Sequence, residues 1–343
     1  MDGRPGGRGT ITGVTRPTLQ HALAHGPVVL DGGLSTELEH AGHDVSGALW
    51  SAALLQDDPD AVVSAHRAFF DAGAVVATTA GYQATFEGFT AAGMSRAQAA
   101  ALITRSVTLA CQARTEAGRD ADAWVAASVG PYGAMLADGS EYTGAYAAPS
   151  GSLDVAALRA FHRPRLALLA QAGADVLACE TVPCAAEAEA LLLELADLGV
   201  PAWLSLTTVT GAAMPGQPSP ATGSATPEQP GPVRTRLGED AAAVFAMARD
   251  VDAVIAVGVN CIDPAGALAA VGCAATASGK PVVVYPNSGE RWDAAARRWS
   301  GVAEFSPSDV AGWLTAGARL VGGCCRVGPE QIAVLARELG SAD

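Results

Sequence analysis

Aromatic side chains are scarce in this chain: they make up 5% of 343 residues, although half of the residues are hydrophobic. A core with so few large rings has to be filled by Ala and branched aliphatic side chains, which suits helices packed closely on a sheet. Basic residues are also few. The 35 acids against 21 bases leave a formal charge of -14, opposite to the clustered Lys and Arg that a phosphate backbone demands. No nucleic acid is expected as a partner, and a cationic or zwitterionic small molecule fits better. No stretch reaches the roughly 18 uninterrupted apolar residues of a membrane span. The first 16 residues are rich in Gly and Arg, without the apolar segment of a secretory signal. No membrane partner is expected, and the reading is of a cytoplasmic protein. Seven cysteines, an odd number in a long chain, favour free thiols or metal ligands over a disulfide framework.

Eight apolar runs with strand character are spread along the chain. They are Val28–Leu30, Ala74–Ala77, Trp124–Ala127, Asp175–Ala178, Ala202–Leu206, Ala253–Val257, Pro281–Tyr285 and Arg319–Val321. Helical segments alternate with them, several opening on start signals such as Asp58-Pro59, Ser95 with Gln98 three residues on, and Asp263-Pro264. Eight βα units match the number at which a parallel barrel closes on a filled interior. The expected fold class is α/β, a single (β/α)8 TIM-type barrel over residues 19–343, preceded by a flexible tail over 1–18. Residues 211–232 form a low-complexity loop of Ala, Gly, Pro, Ser and Thr, with almost nothing to bury. The stretch from Tyr132 to Gly151, holding Tyr132, Tyr142 and Tyr146, reads as a long irregular loop and a lid over the barrel mouth.

In such a barrel the chemistry sits at the C-terminal ends of the strands. There the sequence places Asp31-Gly32-Gly33, Thr78-Thr79 before Tyr82, Cys179-Glu180-Thr181, Asn260-Cys261 and Gly322-Gly323-Cys324-Cys325. Cys261, Cys324 and Cys325 supply three thiols on one rim. Zinc favours thiolate ligands in a tetrahedron, and catalytic sites use three protein ligands with one position open. A substrate thiol entering that position loses its proton to the field of the cation. Four thiolates around the ion leave surplus negative charge, which keeps the sulfur nucleophilic and attracts a cationic partner. The bland alternative is that these cysteines are small buried hydrophobes, the ordinary behaviour of Cys and the expectation for Cys111, Cys179, Cys184 and Cys273. None of the six histidines falls at a strand end, so packing or solvated roles are expected for them. Asp31 and Glu180 are placed to hold an α-ammonium group, and the backbone N–H groups of Gly32 and Gly33 to hold an α-carboxylate. Asp before Gly is also an ordinary turn pair.

These residues, together with Leu49-Trp50-Ser51, Tyr82-Gln83-Ala84-Thr85, Gly130-Pro131-Tyr132-Gly133, Asp138-Gly139-Ser140-Glu141-Tyr142, Phe161–Arg165 and Tyr285–Glu290, resemble the homocysteine S-methyltransferases, and within them the branch using S-methylmethionine or S-adenosylmethionine. The resemblance runs over roughly residues 27 to 337. It implies that Cys261, Cys324 and Cys325 bind Zn2+, that Asp31, Gly32 and Glu180 hold homocysteine, and that Tyr82 borders the pocket for a sulfonium methyl donor. Gly33 and Asn260 complete the expected substrate-binding set, and the implied product is methionine. The chain departs from the family after strand five, where a Ser-Asp-Gly-Thr pattern gives way to the low-complexity stretch and then Thr235–Asp240. Other readings stay open at this point: a related thiol or selenol methyltransferase, a betaine-using homologue, a barrel lyase or aldolase with Glu180 as base, and a zinc or thiol redox sensor.

Overall fold

The computed structural model describes residues 16–340 apart from 46, 48, 50, 149–152, 212–230 and 294–297. Most of the expected tail, most of the low-complexity loop, and Trp50 lie outside the described residues. Eight parallel strands form one sheet: β1 (Val28–Val29), β2 (Val76–Thr78), β3 (Trp124–Val129), β4 (Val176–Val182), β5 (Ala202–Leu206), β6 (Val254–Asn260), β7 (Val282–Tyr285) and β8 (Ala318–Val321). Each strand pairs with its neighbour in chain order, and β8 returns to pair with β1. The remaining seam, between β1 and β2, carries a parallel bridge between Leu30 and Val76. Hydrogen bonds from Val75 N to Val29 O (2.9 Å) and Asp31 N to Val76 O (3.0 Å) complete it. The eight expected runs are the eight strands; β4 and β6 extend further than their apolar runs.

Two apolar cores result. One lies between strands and helices, where small residues such as Ala77, Ala127 and Ala188 let the layers approach. The other fills the barrel with Leu30, Val76, Trp124, Trp203, Val283 and Leu320, and the helix Leu19–His25 adds Leu19 and Leu23 to it. Thr18 caps that helix, Pro17 O accepts from Trp124 Nε1 (2.9 Å), and Arg16 pairs with Asp175. The final three residues of the expected tail are thus tied to the barrel.

The start signals act as their chemistry demands. Asp58 accepts from Ala61 N, and Ser95 with Gln98 forms a capping box that opens the helix Arg96–Glu116. The stretch after β3 differs from the expected irregular loop. It forms a short helix, Tyr132–Leu136, and two 3-10 turns, Ser140–Tyr142 and Ala145–Ala147. Glu187 is the reason: one of its oxygens accepts from Tyr132 N (2.6 Å) and from His162 Nε2 (2.9 Å), and the other accepts from the Tyr146 hydroxyl. A buried carboxylate on the helix Ala185–Leu198 therefore ties down both ends of the segment.

Candidate active site

A cavity opens at the C-terminal ends of the strands, about 820 Å³ of empty space when its open mouth is included. Asp31, Gly32, Gly33, Tyr82, Glu180 and Asn260 all line it, as do Cys261, Cys324 and Cys325. No histidine is among its lining residues. His66 and His162 are instead buried in the packing of helices.

The three sulfurs lie within 4.8 Å of one another. Cys261 Sγ and Cys324 Sγ are 2.7 Å apart, and Cys324 Sγ and Cys325 Sγ 4.0 Å; none of the three is in a disulfide. Cys261 has φ 49°, in the left-handed region, which turns its side chain out of the β6 pleat. The loop after β7 frames the adjacent pair: Cys324 N donates to Pro286 O (2.8 Å), Cys325 N to Asn287 Oδ1 (3.2 Å), and Ser288 N to Cys325 O (3.0 Å). Gly322 and Gly323 lie outside the left-handed region and serve close approach instead of a special turn: a Cβ on Gly322 would meet Asp31 O at 2.6 Å, and one on Gly323 would collide with Val327. Hydrogen bonds from Cys261 and Cys324 hold the Cys325 thiol well below its usual value. Three convergent thiols, one already biased to thiolate, are a donor set that fits a soft or borderline metal ion.

Two carboxylates face this cluster from other strands. Asp31 accepts from Thr78 N (2.6 Å) and Thr78 Oγ1 (3.0 Å). Burial raises its pKa to about 8 in spite of those bonds, and the charge of Glu180 adds to the rise. Glu180 accepts from the hydroxyls of Ser128 and Tyr285, the latter at 2.9 Å, and burial raises its pKa to about 7. The Tyr285 hydroxyl also accepts from Trp203 Nε1 (3.1 Å) and meets Ser205 Oγ at 2.8 Å. Glu180 thus stands at the end of a buried polar chain crossing the barrel from β3 to β7. Such a group ionises readily once a cation enters.

Two of the expected residues gain defined partners. Gly33 lines the cavity, and its N–H donates to Val327 O (2.9 Å). Asn260 is engaged chiefly by protein: its Oδ1 accepts from Thr181 N (2.7 Å) and Ser205 Oγ (2.8 Å), and one N–H of its Nδ2 donates to Thr181 Oγ1 (2.7 Å). Thr181 has φ 60°, costly for a β-branched residue. Asn260 clamps that turn, so it positions Glu180 and Cys261, its own neighbours and those of Thr181.

The structure adds residues that sequence reasoning did not select: Thr78, Ser128 and Tyr285 behind the carboxylates, and Gln83 and Glu141 on the cavity wall. Glu141 is 6% exposed, and burial raises its pKa to about 7. Its signals in the sequence were its place in the tyrosine-rich segment after β3 and in the Asp138-Gly139-Ser140-Glu141-Tyr142 motif of the family resemblance.

Residues 28–339 match the family model of homocysteine S-methyltransferase. The chain is 39% identical over 335 residues to homocysteine S-methyltransferase YbgG of Bacillus subtilis, covering 93% of this chain and 96% of that one. It is 38% identical over 335 residues to the selenocysteine Se-methyltransferase of Brassica oleracea, covering 92% and 90%. Among solved structures, the metallated form of the homocysteine methyltransferase MmuM from Escherichia coli superposes with a TM-score of 0.74 at 37% identity, covering 91% of this chain and 96% of that one. This chain belongs to the homocysteine S-methyltransferase family.

Proposed function

We propose that the chain transfers a methyl group from a sulfonium donor, S-methylmethionine or S-adenosylmethionine, to the thiol of homocysteine, with zinc held by Cys261, Cys324 and Cys325. The observation that carries this reading is the convergence of three thiols with two buried carboxyl groups, Asp31 and Glu180, in one cavity.

The carboxyl groups of Asp31 and Glu180 ionise against the α-ammonium of homocysteine, which exchanges two desolvated acids for a charge-assisted contact. The substrate carboxylate lies toward the backbone N–H of Gly32, leaving the thiol directed at the cysteines. Zinc, when bound, supplies the positive charge that keeps a substrate thiol deprotonated and nucleophilic near neutral pH. A new S–C bond forms to the homocysteine sulfur as the methyl leaves the sulfonium, and the electron pair of the broken bond stays on the departing sulfur. The leaving group is a neutral thioether, so no general acid is required, consistent with a cavity lined by no histidine. Tyr82 and Tyr142 line the same cavity, and aromatic rings there would attract an onium charge. The reducing cytoplasm suits a site made of three free thiols.

The selenocysteine methyltransferase among the relatives supports a second acceptor, since a selenol would occupy the same place as a thiol. The test is methionine formation by reduced, zinc-loaded protein from homocysteine, with S-methylmethionine, S-adenosylmethionine and betaine in parallel and selenocysteine as a competing acceptor. Turnover with a sulfonium, abolished by a chelator, is expected. Zinc-replete protein that forms no methionine from any donor would overturn the reading.

A further inference from the structure

Several buried polar atoms near the cavity have no hydrogen-bond partner. Gln83 is 4% exposed; its Nε2 donates to Ala134 O (3.1 Å), while its Oε1 is buried without a partner. Glu141 Oε2 is likewise buried and without a partner. Both residues line the cavity, and one short helix positions both. Gln83 is bonded to its Ala134, and its Gly133 lies against the backbone of Glu141 so closely that a Cβ there would collide with Glu141 N.

Two unsatisfied acceptors, one of them a carboxylate, are costly to bury and call for a donor of N–H bonds. Neither a sulfonium nor a quaternary ammonium carries a hydrogen to donate, whereas a primary ammonium carries three. Homocysteine already has two carboxylates for its ammonium, Asp31 beside β1 and Glu180 in β4. Glu141 differs in place: it lines the cavity from the 3-10 turn Ser140–Tyr142 in the segment after β3. With Asp31 and Glu180 committed to homocysteine, Glu141 is the remaining carboxyl group among the described residues lining the cavity and is left for the second substrate.

Building on the proposed reaction, we propose that Glu141, with Gln83 beside it, receives the α-ammonium group of the methyl donor. The chain then selects amino-acid sulfonium donors over onium donors that lack a primary ammonium group. The buried state of the Glu141 acid agrees with a group that ionises when a cation arrives.

The test compares S-methylmethionine with its deamino analogue, 4-(dimethylsulfonio)butanoate, by calorimetric binding and by methionine formation. Wild type, Glu141→Gln and Gln83→Met are measured with zinc content, thermal unfolding and homocysteine affinity alongside. Wild type is expected to favour S-methylmethionine by about tenfold or more, the effect of one hydrogen bond to a charged group. Glu141→Gln should narrow that preference to about twofold, and Gln83→Met should reduce it in part, with zinc content and homocysteine affinity held. A Glu141→Gln protein that keeps the full preference, or that loses homocysteine affinity instead, would overturn the assignment. So would a wild type indifferent to the amino group, a result that needs no variant to fold. Sulfonium binding without methionine formation would sink the proposed reaction while leaving the ammonium contact supported.

Discussion

Thr181 and Cys261 both take positive φ, 60° and 49°, at the ends of β4 and β6, which flank β5 in the barrel, and Asn260 is the residue that holds the first of them in place. Replacing Asn260 by Ala strands the buried Thr181 N–H and hydroxyl and frees a strained turn. The expected cost is about 2 to 3 kcal/mol of unfolding free energy, read by denaturant titration, together with weaker homocysteine binding. The cysteines and Glu180 should separate cleanly. Cys324→Ser leaves two thiolates and is expected to lose bound zinc and methionine formation together, checked by metal analysis of the purified protein beside the assay; an active, zinc-replete variant would remove Cys324 from the site. Glu180→Ala should weaken homocysteine binding by about tenfold or more with zinc content unchanged, and unchanged affinity would contradict its role.

At the scale of elements, β6 does the most to place the site, because it carries Asn260 and leads directly into Cys261. Gly258 lies opposite β7, where an added Cβ would overlap the Val283 carbonyl. Gly258→Ala is therefore expected to push β6 from β7 and to cost about 3 kcal/mol or more, seen as a lower denaturation midpoint. It should also lower zinc occupancy, since Cys261 follows three residues on. The segment after β3 acts as an element too. Its anchorage to Glu187 through Tyr132 and Tyr146 converts a stretch that reads as irregular into an ordered wall bearing Glu141.

For the whole molecule, pH should act through a group far from the chemistry. His66 is fully buried with neither ring nitrogen partnered, and burial lowers its pKa to about 4. The unfolded chain takes up a proton near about 6.5 and the folded one does not, so the associated stability is intact above that pH. It is lost as pH falls from about 6.5 toward 4, at up to about 1.4 kcal/mol per pH unit. Relative to His66→Leu, wild type should lose about 3 kcal/mol of unfolding free energy across that window. Equal slopes for the two proteins in denaturant titrations at stepped pH would refute this. Among the described residues no helix is long and apolar enough to cross a membrane.

What the sequence determined by itself was whatever depends on order and period along the chain. Alternating apolar runs and helix starts specify eight βα units, and the position of a residue just past an apolar run puts Asp31, Glu180, Cys261, Cys324 and Cys325 on one rim, because strand ends of a barrel all open to the same side. Only the tertiary structure decided how polar groups are spent, since their partners come from distant strands. Gly33 gives its N–H to Val327, Asn260 gives its amide to Thr181 79 residues away, and Tyr285 reaches Glu180 105 residues away. The same holds for Glu141 and Gln83. Both stand in motifs of the family resemblance, but that pattern assigns neither a partner; they become a pair when the Tyr132–Leu136 helix packs against both and each is left with a buried, unpaired oxygen.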